Sequence, residues 1–571
     1  MCTENKISDR RFHGIALLIL ALVYIAAYLL PLGNRDLMRP DEFRYGEIPR
    51  EMIARNDWVV PLIVGVRYFE KPALGYQWTA LSLKIFGENA FAVRFPAALS
   101  VGLAALLIYI LCAKHNRDRW LAPLASSIYL SFALVFGVGV FAVLDSQLTM
   151  ALTWCIGCYY LMCEARTWGG KLSWLLLAGL AAGAAFLFKG FLAFAVPVVV
   201  ITPYLIWQKD WKKFLTTPWL PLIAAVAVAL PWSIAVWKAE PDFWNYFFIE
   251  EHIKRFTSGT YDRFPEPFWF YLPIFLGGMM PGGLLLLLSY RGVNKAFLQD
   301  SLVRFALCWT VMPLILFSIS SCKVGTYILP CFPGLAILIA WSLIEAVKIA
   351  PQVTEKWLAR GLNFMWALLT AGGVAAMAFL IIWRLLWVEK LPVFDPMDLL
   401  PLAVALGIAL LGIGGLLCGK KYILWRICAF LLVFCTVCGW GSGVAFNHRM
   451  NPDKMPERAL REAFKEMEIS ADDVVVVDRS AATPVAWVLH RTDLVVLGRL
   501  GEFNYGFTKY PQEYRHRYYQ NKELPDLLKA AGNKRVIYVK MRTLEDKPCP
   551  KNWQFKKVIS RKGITVAEFV K

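Results

Sequence analysis

The sequence predicts a polytopic α-helical membrane protein of about thirteen transmembrane helices, followed by a soluble α/β domain. Of its 571 residues, 58% are hydrophobic and 18% are charged, whereas about a quarter of the residues of a soluble domain are charged. Apolar runs long enough to cross a bilayer as helices recur up to about residue 445. We therefore divide the chain into a membrane domain, residues 1–448, and a C-terminal domain, residues 449–571.

The apolar runs have the length and composition of membrane helices. The first has a basic flank and no small-residue cleavage site, so we predict a retained helix and not a signal peptide. The predicted spans are 13–32, 92–112, 120–140, 144–163, 172–188, 190–207, 218–237, 268–290, 302–320, 326–347, 362–384, 398–418 and 422–442.

The C-terminal domain has a different pattern. Short β-branched runs, "DDVVVVDRS", "TDLVVLG" and "KRVIYVKM", alternate with helix-like segments at 456–468 and 523–531. This alternation is typical of a small α/β domain outside the membrane. The domain shows neither a glycine-rich phosphate loop nor a Ser/His/Asp grouping, so the sequence does not indicate its role.

The formal net charge of +19 follows the predicted topology. Basic residues such as Lys114, Arg117 and Lys348 fall in the loops that share a face with the N-terminus, as the positive-inside rule requires of cytoplasmic loops. We therefore attribute the charge to membrane orientation and expect no nucleic-acid partner. The outer face then receives the interfacial loops 33–91 and 238–267 and the C-terminal domain.

Charged and polar residues gather on this predicted outer face. The stretch "RPDEFRYGEIPREM" (39–52) holds three arginines and four acids directly after the first helix, and its Asp41 lies where an unpaired carboxylate is costly. Asp145 opens one helix and Lys189 closes another, while Lys323 and Tyr327 lie at the start of a third. Each alone is most simply a helix cap or a snorkelling lysine; together they predict a shared polar cavity.

The chemistry of such a cavity suits a lipid-linked phosphate. Lysines and arginines at the membrane interface neutralise a phosphate whose tail stays in the bilayer. Glu70 and Lys71 form a charged pair within the apolar "RYFEKPAL", and "FFIEEHIKRF" supplies Glu251, His252 and Arg255. A glutamate and a histidine in one pocket could also hold a divalent metal.

These motifs, in this order, resemble the aminoarabinose (4-amino-4-deoxy-L-arabinose) lipid A transferase family over about residues 10–345. The segments "RPDEFRYGEIPREM", "YFEKPAL", "LDSQLT", "FLFKG" and "SSCKVGTYILPCFPGLAIL" carry the resemblance. The family consists of GT-C polyprenyl-phosphate glycosyltransferases related to protein O-mannosyltransferases. The resemblance implies transfer of the aminosugar from undecaprenyl phosphate to a lipid A phosphate at the periplasmic side of a Gram-negative inner membrane, and hence resistance to polymyxin and cationic peptides.

The resemblance also implies roles for individual residues. Asp41 matches the catalytic acidic residue of the first outer loop, and Lys71 matches a residue linked to the carrier phosphate. Glu70 and His252 match positions implicated in binding a divalent metal, with zinc favoured over magnesium or manganese. From their charge, further candidates for carrier or acceptor phosphate are Arg255, Lys323, Tyr327 and Lys189. Candidates for contacting the sugar or shaping the loop are Glu42, Arg44, Glu47 and Asp145. Within the charged cluster around Asp41 we favour ion pairs between its own acids and arginines.

Other readings stay open at this stage. The sequence departs from the family pattern at Gly46, Val64 and Ala73, where the family usually has Ala, Asn and Pro, and these changes bear on the sugar and the acceptor. A GT-C enzyme moving another polyprenyl-linked sugar to a glycan, lipid or protein is one alternative. A lipid-linked sugar transporter is another, although it would carry charges on both faces and near the midplane.

Overall fold

The computed structural model describes residues 9–115, 117–254, 266–391, 393–395, 397–418, 423–541, 553–561 and 563–570. The first part of the chain forms most of a helical bundle, and short elements of residues 41–86 lie at one end of that bundle. The elements up to residue 239 are α1 (Asp9–Tyr24), α2 (Asp41–Arg55), β1 (Leu62–Ile63), β2 (Val66–Arg67), α3 (Leu74–Phe86), α4 (Ala90–His115), α5 (Leu121–Ser131), α6 (Ala133–Gly139), α7 (Asp145–Glu164), α8 (Trp168–Lys189), α9 (Leu192–Trp207), α10 (Trp211–Thr216) and α11 (Trp219–Ala239).

The rest of the membrane domain is also helical. A π-helical segment, Tyr246–Lys254, follows α12 in the second outer loop. The helices from residue 243 to residue 445 are α12 (Phe243–Asn245), α13 (Tyr271–Gly278), α14 (Leu285–Ser289), α15 (Lys295–Gln299), α16 (Ser301–Ile319), α17 (Phe332–Ile349), α18 (Pro351–Ile382), α19 (Leu400–Leu417) and α20 (Ile423–Ala445).

The polytopic membrane class is confirmed. Within the described residues, nine helices are long and apolar enough to cross a membrane, or up to eleven if each of two bent pairs is one span. The pairs are α5–α6, bent by 67°, and the helices of 268–278 and 282–292, bent by 91°. Two further predicted runs are helical but fall outside this set: α9 is short, and α7 has a polar first turn, Asp145–Ser146–Gln147. The count of thirteen stays a prediction.

The two ends of the bundle carry different clusters. At one end, loops predicted to share a face meet directly: His115 contacts Asp300 at 3.2 Å and Lys348 contacts Asp118 at 2.9 Å. At the other end, the first residue of α7 and the last residue of α8 form an ion pair, Asp145–Lys189. The predicted positions of Asp145 as a helix start and Lys189 as a helix end are confirmed.

Loop 33–91 folds into two helices and a hairpin. Asp41 and Glu42 lie in the first turn of α2, where acidic side chains complement the helix dipole. Asn56 ends α2 in the left-handed conformation with φ of 52°. The turn between β1 and β2 has positive φ at Val64 and Gly65, a costly conformation for a β-branched residue. The Glu51 carboxylate accepts both backbone N–H groups, at 2.5 and 2.8 Å, and thereby holds this turn.

The C-terminal domain is a six-stranded mixed sheet with helices, so the predicted α/β class is confirmed. Its strand order is β5-β4-β3-β6-β8-β7, with β3 parallel to β4 and β6, and β8 antiparallel to both its neighbours. Its elements are α21 (Glu457–Met467), β3 (Val474–Asp478), α22 (Arg479–Leu489), β4 (Val495–Leu497), α23 (Asn504–Lys509), β5 (Tyr518–Tyr519), α24 (Leu524–Ala530), β6 (Val536–Lys540), β7 (Gln554–Arg561) and β8 (Ile564–Val570).

The C-terminal domain packs directly on α2. A Cβ atom at Gly46 would lie 3.2 Å from the ring of Trp487 in α22, so the small residue at this position lets the two helices approach closely. The helix that carries Asp41 therefore has the membrane domain on one side and the C-terminal domain on the other.

Candidate functional site

Asp41 is the first residue of α2, and its side chain is 39% exposed. Arg44, one turn later, reaches the Asp41 carboxylate at 3.4 Å and the Glu502 carboxylate of the C-terminal domain at 3.5 Å. Burial raises the pKa of the Tyr45 phenol well above its ordinary value. Tyr76, Asp41 and Asp145 raise it further, and the charge of Arg44 opposes them.

Glu42, the next residue, is completely buried and fully hydrogen-bonded. Its carboxylate accepts hydrogen bonds from Arg35, at 2.7 and 3.1 Å, and from Arg94, at 2.7 and 2.8 Å. The backbone N–H groups of Met38 and Ala142 donate at 2.8 and 3.2 Å. Burial raises the pKa of the Glu42 carboxyl, but the two guanidinium groups outweigh burial and lower it to about 2. This arrangement favours a loop-shaping role for Glu42.

Glu47 is also buried and belongs to a second internal cluster. Arg50 donates to both of its oxygens, at 2.8 and 2.5 Å. Burial raises the pKa of Glu47 and of the neighbouring Glu51, and for Glu51 the charge of Glu47 adds to the effect. Because both Glu42 and Glu47 have no exposed surface, their geometry favours bracing over sugar contact.

A cavity of about 480 Å³ brings together several of the predicted phosphate-binding residues. The polar residues of its lining are Lys71, Lys189, Glu251, Ser320 and Tyr327, so two lysines face one carboxylate. The remaining wall is largely apolar and comes from α9, the second outer segment and the end of α16. Its apolar residues are Phe191, Leu192, Ala195, Phe248, Ile253, Leu316 and Phe317. A cavity with two lysines and an apolar wall is suited to a phosphate attached to a hydrocarbon chain.

Both lysines of the cavity are held in place. Lys189 Nζ contacts Asp145 Oδ1 at 2.7 Å and lies 4.4 Å from the centre of the Tyr327 ring. Lys71 Nζ donates to the Glu70 carbonyl at 2.7 Å and contacts the Glu251 carboxylate at 3.5 Å. The Lys71 and Lys189 side chains are only 15% and 9% exposed, and a dry site strengthens the interaction of an ammonium group with a phosphate oxygen.

Other predicted residues lie apart from the cavity or outside the described residues. Lys323 donates to the carbonyls of Ser320 and Glu266, at 2.6 and 3.0 Å, and is absent from the cavity lining. Arg255 and the side chain of His252 lie outside the described residues. Glu70 acts electrostatically on Arg44 and on the Tyr68 phenol.

The predicted metal site stays a prediction. Among the described residues, no group of three or more His, Cys, Asp or Glu side chains could hold a metal ion. The Glu70 carboxylate is an oxygen ligand of the kind that zinc accepts, but its predicted partner His252 falls among the side chains that the structure leaves undescribed.

Tyr327 gives a test of how Lys189 is oriented. We expect Tyr327→Phe to keep the affinity for undecaprenyl phosphate within about twofold, because the ring under Lys189 is retained. Tyr327→Leu should weaken it about three- to tenfold, the range expected of a partly desolvated cation–π contact. Titration of the purified protein with undecaprenyl phosphate measures both. Equal losses in the two variants would show instead that the hydroxyl donates to the phosphate.

A second polar cavity is a weaker candidate for a phosphate. It has a volume of about 290 Å³ and lies between the end of α20, the segment before α19, the loop after α1 and α21. Its lining holds four carboxylates, from Asp36, Asp395, Asp398 and Glu462, against three arginines. The balance of charge therefore favours the cavity lined by Lys71 and Lys189 as the phosphate site.

Several residues of the site were missed by sequence reasoning. Arg94 lies inside an apolar run, where a charged residue is costly without a partner, and this signal could have identified it as a partner for an outer-loop acid. Glu251 was seen only as a neighbour of His252. Glu502 and Arg35 gave no local signal, because their partners are distant in the sequence or separated by an intervening turn.

Fold and site together define a multi-pass membrane glycosyltransferase of the GT-C type. A family described as dolichyl-phosphate-mannose-protein mannosyltransferase matches residues 14–247, and one described as the C-terminal domain of arabinosyl transferase ArnT matches residues 452–566. The crystal structure of ArnT from Cupriavidus metallidurans bound to undecaprenyl phosphate superposes with a TM-score of 0.76 at 20% identity, covering 97% of each chain.

Curated relatives identify the family. Undecaprenyl phosphate-α-4-amino-4-deoxy-L-arabinose arabinosyl transferase of Yersinia pseudotuberculosis serotype O:3 (strain YPIII) is 36% identical over 521 residues, covering 90% of this chain and 91% of the relative. The enzyme of the same name from Yersinia enterocolitica is 37% identical over 500 residues, covering 86% and 87%. The chain belongs to the undecaprenyl phosphate-aminoarabinose arabinosyl transferase family.

Proposed function

We propose that this enzyme transfers 4-amino-4-deoxy-L-arabinose from undecaprenyl phosphate to a phosphate of lipid A. The reaction takes place at the periplasmic side of a Gram-negative inner membrane, where the outer loops and the C-terminal domain lie. Adding a cationic sugar masks the negative charge of the lipid phosphate, so the activity confers resistance to polymyxin and other cationic peptides.

The cavity of Lys71 and Lys189 is the observation that carries the proposal. It combines two partly buried ammonium groups with an apolar wall, as a polyprenyl phosphate requires. The relatives are named for an undecaprenyl phosphate-linked aminosugar, which supports the same donor for this chain.

Different residues stabilise the leaving phosphate and the sugar. An oxygen of the acceptor phosphate attacks the anomeric carbon of the sugar, and the bond from that carbon to the carrier phosphate breaks. Undecaprenyl phosphate leaves with the bonding electrons, and Lys71 and Lys189 stabilise its charge through charge-assisted hydrogen bonds. A phosphate monoester has its second pKa near ~6, so the acceptor needs no base, and Asp41 counters the cationic sugar of the transition state.

Mass spectrometry of lipid A tests the whole reaction. Expressing the chain in a Gram-negative strain that lacks its own transferase but makes the lipid-linked aminosugar should add the mass of one or two aminopentose groups to lipid A phosphates. Unmodified lipid A in cells that contain the folded protein would contradict the proposed acceptor. An added mass of a different sugar would favour the GT-C alternative.

Lys71 provides a direct test of the carrier site. We expect Lys71→Ala to weaken undecaprenyl phosphate binding by about tenfold or more, because a charge-assisted hydrogen bond in a dry site contributes about 1.5–3 kcal/mol. Lys84→Ala, an exposed lysine of α3 in the same outer loop, is the control and should bind normally. Unchanged binding by Lys71→Ala would move the carrier phosphate to another part of the molecule.

A further inference from the structure

Arg67, the last residue of β2, joins three separate parts of the chain. Its Nε donates to Glu240 at the end of α11, and one of its terminal nitrogens contacts both oxygens of Glu513, at 2.7 and 2.6 Å. The same nitrogen donates to the Tyr514 hydroxyl at 2.9 Å, and the guanidinium lies 4.2 Å from the centre of the Tyr510 ring. We call the set Arg67, Glu240, Tyr510, Glu513 and Tyr514 the Arg67 clamp.

The Arg67 clamp is a strong contact although part of it is exposed to solvent. The Glu240 side chain is only 5% exposed, and the Tyr510 hydroxyl donates to its second oxygen. Burial lowers the pKa of the Arg67 guanidinium, but the hydrogen bonds that it donates to Glu240 and Glu513 outweigh burial and raise it. A planar guanidinium that donates in several directions fixes its partners in orientation as well as distance.

The two membrane-domain segments that the clamp joins are those that carry the phosphate-site residues. Lys71 follows Arg67 by four residues, and Glu251 follows Glu240 in the same outer segment. These segments meet again at the Lys71–Glu251 contact of 3.5 Å. The position of the Lys71 ammonium therefore depends on how the first outer loop is aligned against the second.

The C-terminal domain supplies the third side of this arrangement. Tyr505 of α23 packs against Phe69, with ring centres 5.1 Å apart, and against Tyr246, at 4.5 Å. A Cβ atom at Gly506 would lie 2.3 Å from Val66, so α23 approaches β2 as closely as glycine allows. Residues 505–514 thus contact both segments immediately beside the phosphate-binding cavity.

We propose that the C-terminal domain is a positioning part of the carrier-phosphate site and acts through the Arg67 clamp. The domain needs no ligand of its own for this role. It sets the distance between Lys71 and Glu251 by holding the two outer segments together, and Arg67 is the positioning residue through which it does so. The inference rests on the proposed function, because it takes the cavity of Lys71 as the carrier site.

Two clamp variants of the full-length protein test the inference, with undecaprenyl phosphate as the probe. Arg67→Gln should weaken binding of this lipid about tenfold. Glu513→Gln removes one charged contact from the C-terminal domain and keeps Tyr510 and Tyr514, so it should weaken binding only about threefold; small misplacements of a binding group have effects of this order. The Michaelis constant for the donor should rise by similar factors, while the turnover number at saturating donor changes less than about twofold. Because Glu513 is 49% exposed, its variant should fold normally.

A matched control separates this role from general docking of the domain. Lys509 and Asp242 form an exposed ion pair of 2.7 Å between the same C-terminal segment and the second outer loop, without contacting Arg67. Lys509→Gln should bind undecaprenyl phosphate as the wild type does. Equal losses in Lys509→Gln and Glu513→Gln would overturn the specific role of the clamp.

The remaining outcomes distinguish the inference from the proposed function. If Lys71→Ala binds undecaprenyl phosphate weakly but both clamp variants bind it normally, the inference is wrong and the carrier site stands. If Lys71→Ala and the clamp variants all bind normally, the carrier phosphate lies elsewhere, and both proposals fail. A loss confined to the turnover number would also overturn the inference, because a positioning role at the carrier site predicts an effect on donor affinity.

Discussion

Glu42→Gln is expected to destabilise the folded protein by about 3 to 5 kcal/mol, the cost of removing one partner from a buried ion pair. Arg94 is 1% exposed, and Arg35 is 9% exposed, so the variant leaves two guanidinium groups buried without a counter-charge. The apparent melting temperature of the purified protein in detergent measures the effect, and we expect a clear fall together with a low yield of folded protein.

An exposed acid gives the comparison for Glu42. Glu466 pairs with Arg561 on the surface of the C-terminal domain, where both side chains are more than 40% exposed. Glu466→Gln should change stability by no more than about 0.5 kcal/mol, as surface ion pairs usually do. Equal melting temperatures for Glu42→Gln and Glu466→Gln would show that the two buried arginines do not depend on the Glu42 carboxylate.

The same network predicts the direction of the pH dependence. The pKa of Glu42 in the folded protein is about 2, below its ordinary value of 4.5, because the attraction of Arg94 and Arg35 exceeds the effect of burial. A lowered pKa means that the contribution of Glu42 to stability is fully present above about pH 4.5 and is lost as the pH falls toward 2. Glu42→Gln should therefore lack this part of the acid sensitivity.

The sequence predicts the helices and the class of site because both rest on local or repeated signals. Apolar runs and basic loops define the bundle, and β-branched runs define three of the strands of the C-terminal sheet. Asp145 and Lys189 were predicted at helix ends because each interrupts an apolar run. Strands β5, β7 and β8 were missed. Strand β5 is only two residues long, and "QFKKVISR" of β7 is largely polar and exposed on an edge strand, whereas the buried "ITVAEFV" of β8 carried a signal that could have been recognised.

The division of labour within the charged stretch could not be read from the sequence. Asp41 and Glu42 are adjacent acids at the start of one helix, and only the folded chain decides that Glu42 turns toward Arg35 and Arg94. The contacts of Arg44 with Glu502 and of Arg67 with Glu513 join residues more than 400 positions apart. Such pairs leave no periodic or compositional signal, so the C-terminal domain gave no sign of its contact with the site.

Asp41→Asn is expected to reduce turnover about 100-fold or more, the effect of removing a preorganised charge from a transition state. Asparagine keeps the size of the side chain, and the Asp41 side chain is 39% exposed, so the change leaves no deeply buried charge behind. We therefore expect a melting temperature and an undecaprenyl phosphate affinity close to those of the wild type. Single-turnover transfer with purified protein measures the loss.

Asp41 and Glu42 are neighbours in the sequence, but we expect their variants to fail in different ways. Loss of Glu42 should lower the stability and the yield of folded protein, whereas loss of Asp41 should leave a stable protein that binds its carrier lipid and fails at the transfer step. An Asp41→Asn protein that retains a third or more of wild-type turnover would assign the positive charge of the sugar to another carboxylate. Asp145 would then be the first candidate, because it forms an ion pair with Lys189, which lines the cavity.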